Sequence, residues 1–170
     1  MSIKPSLLLL IPFILLSSCN KIDFGPDEGY VGRDNYNYPT GAKDNTDWTS
    51  DTDWDKKERE LFKDLKLDLN ATQRGGISQV YFFPNPVKVN GQGILTFRNN
   101  APVQLSAVVV DDKHKVLDQF SATVSSSNIS FHRLYSSEKF NAGMYRMYYV
   151  MYDIDGTLYY KGHGDIKIVE

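Results

Sequence analysis

From Ile77 onward the chain alternates apolar and polar residues with a period of two, the pattern of strands that bury one face. Ile77 to Phe83 is one such run, stopped by Pro84-Asn85-Pro86, because proline has no N–H to give to a ladder. Gln92 to Arg98 reads as a second, with Ile94, Thr96 and Arg98 on the face opposite Leu95 and Phe97. Val103 to Val110 is a third, and its continuous end Val108-Val109-Val110 predicts burial on both faces. Asp111 to His114 turns the chain into Lys115 to Phe120, and Asn128 to Arg133 is a fifth run. Gly143 to Tyr152 alternates most strongly. It sends Tyr145, Met147, Tyr149 and Met151 to one face, and Met144, Tyr148, Val150 and Tyr152 to the other. Asp155-Gly156 marks a hairpin. The return arm is Thr157 to Tyr160 and Asp165 to Val169, with Gly162 and Gly164 predicting a bulge between them.

Upstream the period changes. Trp54, Leu61, Phe62 and Leu65 fall on one stripe at helical spacing, which predicts an amphipathic helix over 51–68. Ser50 with Asp53 has the spacing of a capping box, and Asp51, Asp53 and Asp55 sit at the positive end of the helix dipole. Residues 19–50 show no sustained period and are rich in Asp, Asn, Gly and Thr, so they read as a flexible acidic tether. Tyr30, Tyr36 and Tyr38 are the residues that could dock it. Charge divides the chain in the same place: residues 20–76 hold 13 acids and 9 bases, residues 77–170 hold 8 and 9. The boundary falls near Gly75-Gly76, and six to seven short strands in residues 77–170 predict a mainly β fold, an immunoglobulin-like antiparallel β-sandwich. No Cys–Trp–Cys core is present, so aliphatic and aromatic packing replaces the bridge.

The first 18 residues form a different kind of segment. Lys4 gives a positive end, Leu7 to Leu16 is apolar apart from Pro12, and Ser17 and Ser18 are small. The run is shorter than the roughly 20 residues needed to span a bilayer, and it suits a signal peptide. Leu16-Ser17-Ser18-Cys19 resembles the bacterial lipobox, and Cys19 is the only cysteine. The resemblance implies cleavage before Cys19, diacylation of its sulfur and usually acylation of its amine. Two or more acyl chains give stable membrane attachment where one gives only marginal binding. Asn20, standing where an aspartate favours the inner membrane in enteric bacteria, points to the outer membrane.

Residues 80–169 resemble the C-terminal β-sandwich modules of Bacteroidetes secreted proteins, the type IX secretion sorting domains, and also the immunoglobulin-like module of flagellar hook-scaffold proteins. Val80-Tyr81-Phe82-Phe83-Pro84-Asn85-Pro86-Val87 is similar to the opening phrase of that family. Val110 to Leu117 is similar to its central hairpin, with His114 in place of the usual glycine. Ala142 to Met147, Asp155-Gly156 and Lys167-Ile168-Val169 are similar to its close. The resemblance implies a sandwich fold and a Bacteroidetes lineage, with secretion sorting as one function.

Candidate chemistry is sparse. His114, His132 and His163 lack metal-ligand spacing; His114 lies in a turn and His163 between glycines, so solvated loops are expected. Asp51 to Asp55 starts like a calcium loop, but Lys56 stands where the glycine belongs and Phe62 where the glutamate belongs. Asp153-Ile154-Asp155-Gly156 needs no ion as a hairpin turn. Ser125 to Ser127 have no adjacent base, and Asp111-Asp112 is a poor acid–base pair. No catalytic site, metal or cofactor is expected. A net charge of −2 without a basic face excludes nucleic acid as a partner. Tyr145, Tyr149, Tyr159 and Tyr160 crowd the final hairpin, and an exposed set of these rings would be a binding platform for a glycan or a protein. The sequence therefore predicts a lipid-anchored, non-catalytic binding or scaffolding module of the envelope. Its partners would be the membrane through Cys19 and an envelope protein or glycan.

Overall fold

The computed structural model describes residues 21–25, 29–125 and 127–170. The signal-like segment and Cys19 lie outside them. The described chain folds into two packed sheets with one short α-helix. Its strands are β1 (Thr49–Ser50), β2 (Ile77–Phe83), β3 (Val87–Lys88), β4 (Gln92–Asn99), β5 (Val103–Val110), β6 (Val116–Val124), β7 (Ser127–Leu134), β8 (Gly143–Tyr152) and β9 (Leu158–Val169). The larger sheet runs β1-β9-β8-β5-β6, and β3 joins β9 in parallel; the smaller is β2-β4-β7. All other pairs are antiparallel.

The alternation of β8 decides the layering. Tyr145, Met147, Tyr149 and Met151 enter the core between the sheets, against Phe82, Leu95, Phe97 and Leu105. Tyr148, Val150 and Tyr152 face the other way into a second apolar cluster with Val108 and Val110. A sheet apolar on both faces needs cover on both. The cover for the second face comes from upstream: Ile22, Trp54, Phe62 and Leu69 pack there, with Leu61 and Leu65 partly buried beside them. The helical stripe thus finds its surface, and Trp54 stands edge-on to Tyr148 with ring centroids 5.5 Å apart.

The helix carrying that stripe is shorter than the expected 51–68. It is α1 (Lys56–Glu60), followed by a 3₁₀ turn (Lys63–Leu65). Its N-cap is Asp55, whose carboxylate accepts the amides of Lys57 and Glu58, while Glu58 reaches back to the Asp55 amide. Ser50 cannot cap a helix because it is spent in β1, opposite Gly162 of β9. The turn ends at Lys66 in the left-handed conformation, φ 53°.

Two further expectations change. Residues 29–50 do not hang free as a tether: Tyr30, Asp44, Asp47 and Trp48 are buried against the sandwich. Trp48 stacks between Phe82 and Tyr149, at 5.6 and 6.4 Å, and so fills the core at the β9 edge. Gly162 and Gly164 make no bulge either, since β9 runs unbroken along β8 through both. They are glycines because a Cβ at 164 would strike the Trp48 indole, and one at 162 the Thr49 carbonyl. Register shifts fall elsewhere, between Ser78 and Tyr81, where Gln79 has φ 53°, and at the ends of β5 and β8.

Candidate functional site

The four tyrosines expected as a platform are no more than 8% exposed, and all belong to the inter-sheet core. The expectation fails because the final hairpin lies in the middle of the larger sheet and is covered on both sides. Tyr145 has a structural task instead. Its hydroxyl donates to the Asn141 carbonyl at 3.0 Å and accepts from the Asn141 amide at 3.1 Å, tying the start of β8 to the preceding corner. Tyr149 and Tyr160 stack on each other at 6.2 Å. Tyr159 closes over Gly75, where a Cβ would enter its ring.

The histidines separate. His132 is exposed on β7, 3.3 Å from Gln92. His163 is not in a solvated loop: it lies on β9 with Nδ1 2.9 Å from both Asp51 oxygens. Asp51 also accepts the Trp54 indole N–H at 2.6 Å, so it serves as a strut. His114 is half-buried beside Tyr148 and takes φ 64°, the left-handed region that favours glycine. Burial, reinforced by Lys57, holds its imidazole below the ordinary histidine range. Among the described residues no three His, Cys, Asp or Glu side chains are grouped to hold a metal ion.

A buried polar network fixes the N-terminal segment in place. Asp165 on β9 is fully buried and takes a bidentate pair from Arg146 on β8, at 2.6 and 2.7 Å. Asp47 accepts the Asp165 amide at 2.9 Å and the Val31 amide at 3.2 Å. Burial, with the charges of Asp165 and Asp44 adding to it, pushes Asp47 up to about 8. Buried Asn85, between its two prolines, donates to the Val31 and Asp165 carbonyls and accepts the Lys167 amide. Lys161 is buried under the helical segment, donating to the Leu69 carbonyl and Asn70 with its ammonium 5.1 Å from the Trp54 ring centroid. The sequence held a weak signal for this network. Lys161, Asp165 and Asn85 are polar residues inside otherwise apolar or strand-forming runs.

What this scaffold displays is a loop, residues 33–40. Asp34 accepts the amides of Tyr36 and Tyr38, both at 2.9 Å, and gives its own amide to the Tyr38 carbonyl. Arg33 lies 3.9 Å over the Tyr81 ring and donates to the Asn37 carbonyl at 2.7 Å. Backbone bonds exchanged between Arg33 and Asn85 hold the loop to the strand end. From this frame Tyr36 and Tyr38 project at 81% and 69% exposure. Beside the loop the outer face of the smaller sheet carries half-buried Tyr81, beneath Arg33, with half-buried Thr96 and exposed Arg98. On the other sheet a groove of about 410 Å³ lies between Leu61, Phe62 and Leu65 and the strand residues Ser106, Val108, Phe120 and Ser121.

No protein-family profile matches the chain, and no curated protein does. Among solved structures it is similar over 66% of its length to the Pseudomonas fluorescens alkylpurine DNA glycosylase AlkC bound to DNA, at 15% identity and a TM-score of 0.39. The chain spans only 34% of that protein. It is also similar over 58% of its length to the CARDB domain of the PF1109 protein from Pyrococcus furiosus, covering 97% of it at 10% identity and a TM-score of 0.37. The same share of the chain is similar to a Niemann-Pick type C2 protein from Japanese carpenter ant, covering 96% of it at 9% identity and a TM-score of 0.39. The two packed sheets by themselves define the class, a mainly antiparallel, β-sandwich-like fold.

Proposed function

We propose that this chain is a lipid-anchored, non-catalytic protein of the bacterial envelope, at the outer membrane, that binds or scaffolds a partner protein. The observation that carries the reading is the loop of residues 33–40: two tyrosines are held out to solvent on a frame bonded at both ends. Rigid aromatic anchors are what binding surfaces use, because they contribute large contact area with little entropy to lose. The helical segment lying across Tyr148 and Val150 favours a protein partner over a sugar bound on the final hairpin. The lipobox resemblance at Leu16–Cys19 supplies the anchor.

The sandwich is of immunoglobulin-like type in this reading. Its order, β2-β4-β7 against β9-β8-β5-β6, corresponds to strands A-B-E and G-F-C-C′ of that fold. Tyr145 supports the assignment as a tyrosine corner, placed at the start of the F-equivalent strand with its hydroxyl on the backbone four residues upstream.

The test is a photo-crosslinking amino acid placed at Tyr36 or Tyr38 in cells, with Ile154, 94% exposed, as the control position. One defined protein adduct is expected from the loop and none from position 154. Adducts equal at both positions reject the loop as the binding surface; glycan crosslinks in place of protein ones turn the reading to a surface lectin. A reporter redirected by residues 80–170 alone turns it to a sorting module.

A further inference from the structure

The described chain begins at a defined place on the sandwich. The Ile22 amide donates to the Asp112 carbonyl at 2.8 Å, the Ile22 side chain is buried in the outer cluster, and Lys21 pairs with Asp112 at 2.7 Å. Cys19 precedes Ile22 by three residues, which span at most about 11 Å even when fully extended. An acylated Cys19 therefore cannot stand away from the turn at 111–115. Acylation of Cys19 would then leave no length for a tether between the sandwich and the bilayer, and one end of the sandwich would meet the lipid.

Strand pairing shows what that end contains. Val110 pairs with Val116 and Arg146, so the turn at 111–115 lies beyond that row with the start of β8 and the end of β9. Lys88 pairs with Val169, and the Asn90 amide donates to the Tyr135 carbonyl, which brings residues 88–91 and 135–141 to the same end. Two apolar side chains stand exposed there, Val116 at 40% and Leu134 at 62%. Lys88, Lys113 and Lys115 are exposed beside them. Most of the local acids are already engaged. Asp111 accepts the amides of residues 113 and 115, Asp112 holds Lys21, and Asp118 holds Arg133 and Lys139. Glu138 and Glu170 are further carboxylates here, and Asp23, Asp55 and Glu58 also lie near the turn, Asp23 accepting the Gly25 amide and the other two joined in the helix cap. Exposed lysines around a few apolar tips match an anionic headgroup layer, where each cation near the surface is attracted and an apolar side chain leaves water.

We propose that the end of the sandwich carrying Lys113, Lys115, Val116 and Leu134 rests on an anionic lipid headgroup surface. The strands then stand away from the membrane, with the turn at 153–157 outermost. This orientation rests on acylation of Cys19.

The acylated full-length mature protein tests it, because its Cys19 sulfur is blocked and an introduced cysteine is then the one free thiol. Val116→Cys, Leu134→Cys and Ile154→Cys would each carry a fluorophore, on vesicles containing a headgroup-attached quencher. Labels at 116 and 134 are expected to be quenched severalfold more than the label at 154. The difference should shrink when phosphatidylglycerol is omitted from phosphatidylcholine vesicles, or in the Lys113→Glu, Lys115→Glu double variant. Equal quenching at the three positions overturns the orientation, as does quenching indifferent to both phosphatidylglycerol and the lysine changes. Mass spectrometry of the same preparation separates the two ideas. An acylated terminus with equal quenching removes the orientation alone, and an unacylated terminus removes both.

Discussion

Asp47 is buried and receives two backbone amides, yet it lies near two other acids, Asp165 and Asp44. Arg146 is already committed in bidentate fashion to Asp165, so Asp47 is left without a cation of its own and burial raises its carboxyl. Its carboxyl, at about 8 when folded, lies well above the roughly 3.9 of an unfolded aspartate. The folded state then binds the extra proton, so this contribution to stability is fully present below about pH 4 and is lost as pH rises toward 8. Melting temperature is expected to fall between about pH 5 and about pH 8, and Asp47→Asn should flatten that slope. Thermal melts across a pH series read both. An unchanged slope in the variant would assign the dependence to another group.

At the scale of elements, the informative case is the segment from Trp54 to Leu69. Its helix is only five residues long, too short to be stable alone, and it holds because its apolar side chains cover β5 and β8. Cap and stripe should therefore carry unequal weight. Asp55→Ala removes the cap and is expected to cost about 1 kcal/mol. Trp54→Ala empties a site between Phe62, Tyr148 and the Lys161 ammonium, and is expected to cost roughly 3–5 kcal/mol. Urea denaturation of the two variants measures the ratio, and equal costs would mean that the helix stands on its own propensity. The alternation and the stripe were both legible in the sequence, because each is a repeat within one element. Helix length was not legible, since the Asn70 side chain accepts the Trp54 amide, donates to the Trp54 carbonyl and so holds Trp54 outside the helix, a contact between residues far apart in the chain.

At the scale of the molecule, the segment before residue 51 changes role from spacer to part of the core. Trp48 fills the gap between the sheets at the β9 edge, and the glycine at 164 makes room for it. Deleting residues 21–50 is thus expected to destabilise the sandwich by at least about 3 kcal/mol, the scale of removing a buried aromatic side chain. Cys19→Ser should leave stability unchanged and release the chain from membranes. Denaturation curves and membrane sedimentation of the two variants distinguish a folding role from an anchoring one. A deletion variant as stable as the full chain would return the segment to the status of a linker.

The sequence by itself determined the β class, most strand positions and the two-faced character of Gly143–Tyr152. These depend on periodicity and on adjacent residues, which one chain carries openly. The tertiary structure decided what covers each apolar face, and with that which tyrosines meet water. Tyr145, Tyr149, Tyr159 and Tyr160 are buried because their hairpin lies in the middle of the larger sheet. Tyr36 and Tyr38 are exposed because a loop anchored through Arg33, Asp34 and Asn85 carries them outward. Burial depends on contacts between residues far apart in the chain, such as Trp48 on Gly164 or Asn85 on Asp165, and no local pattern encodes such a pairing.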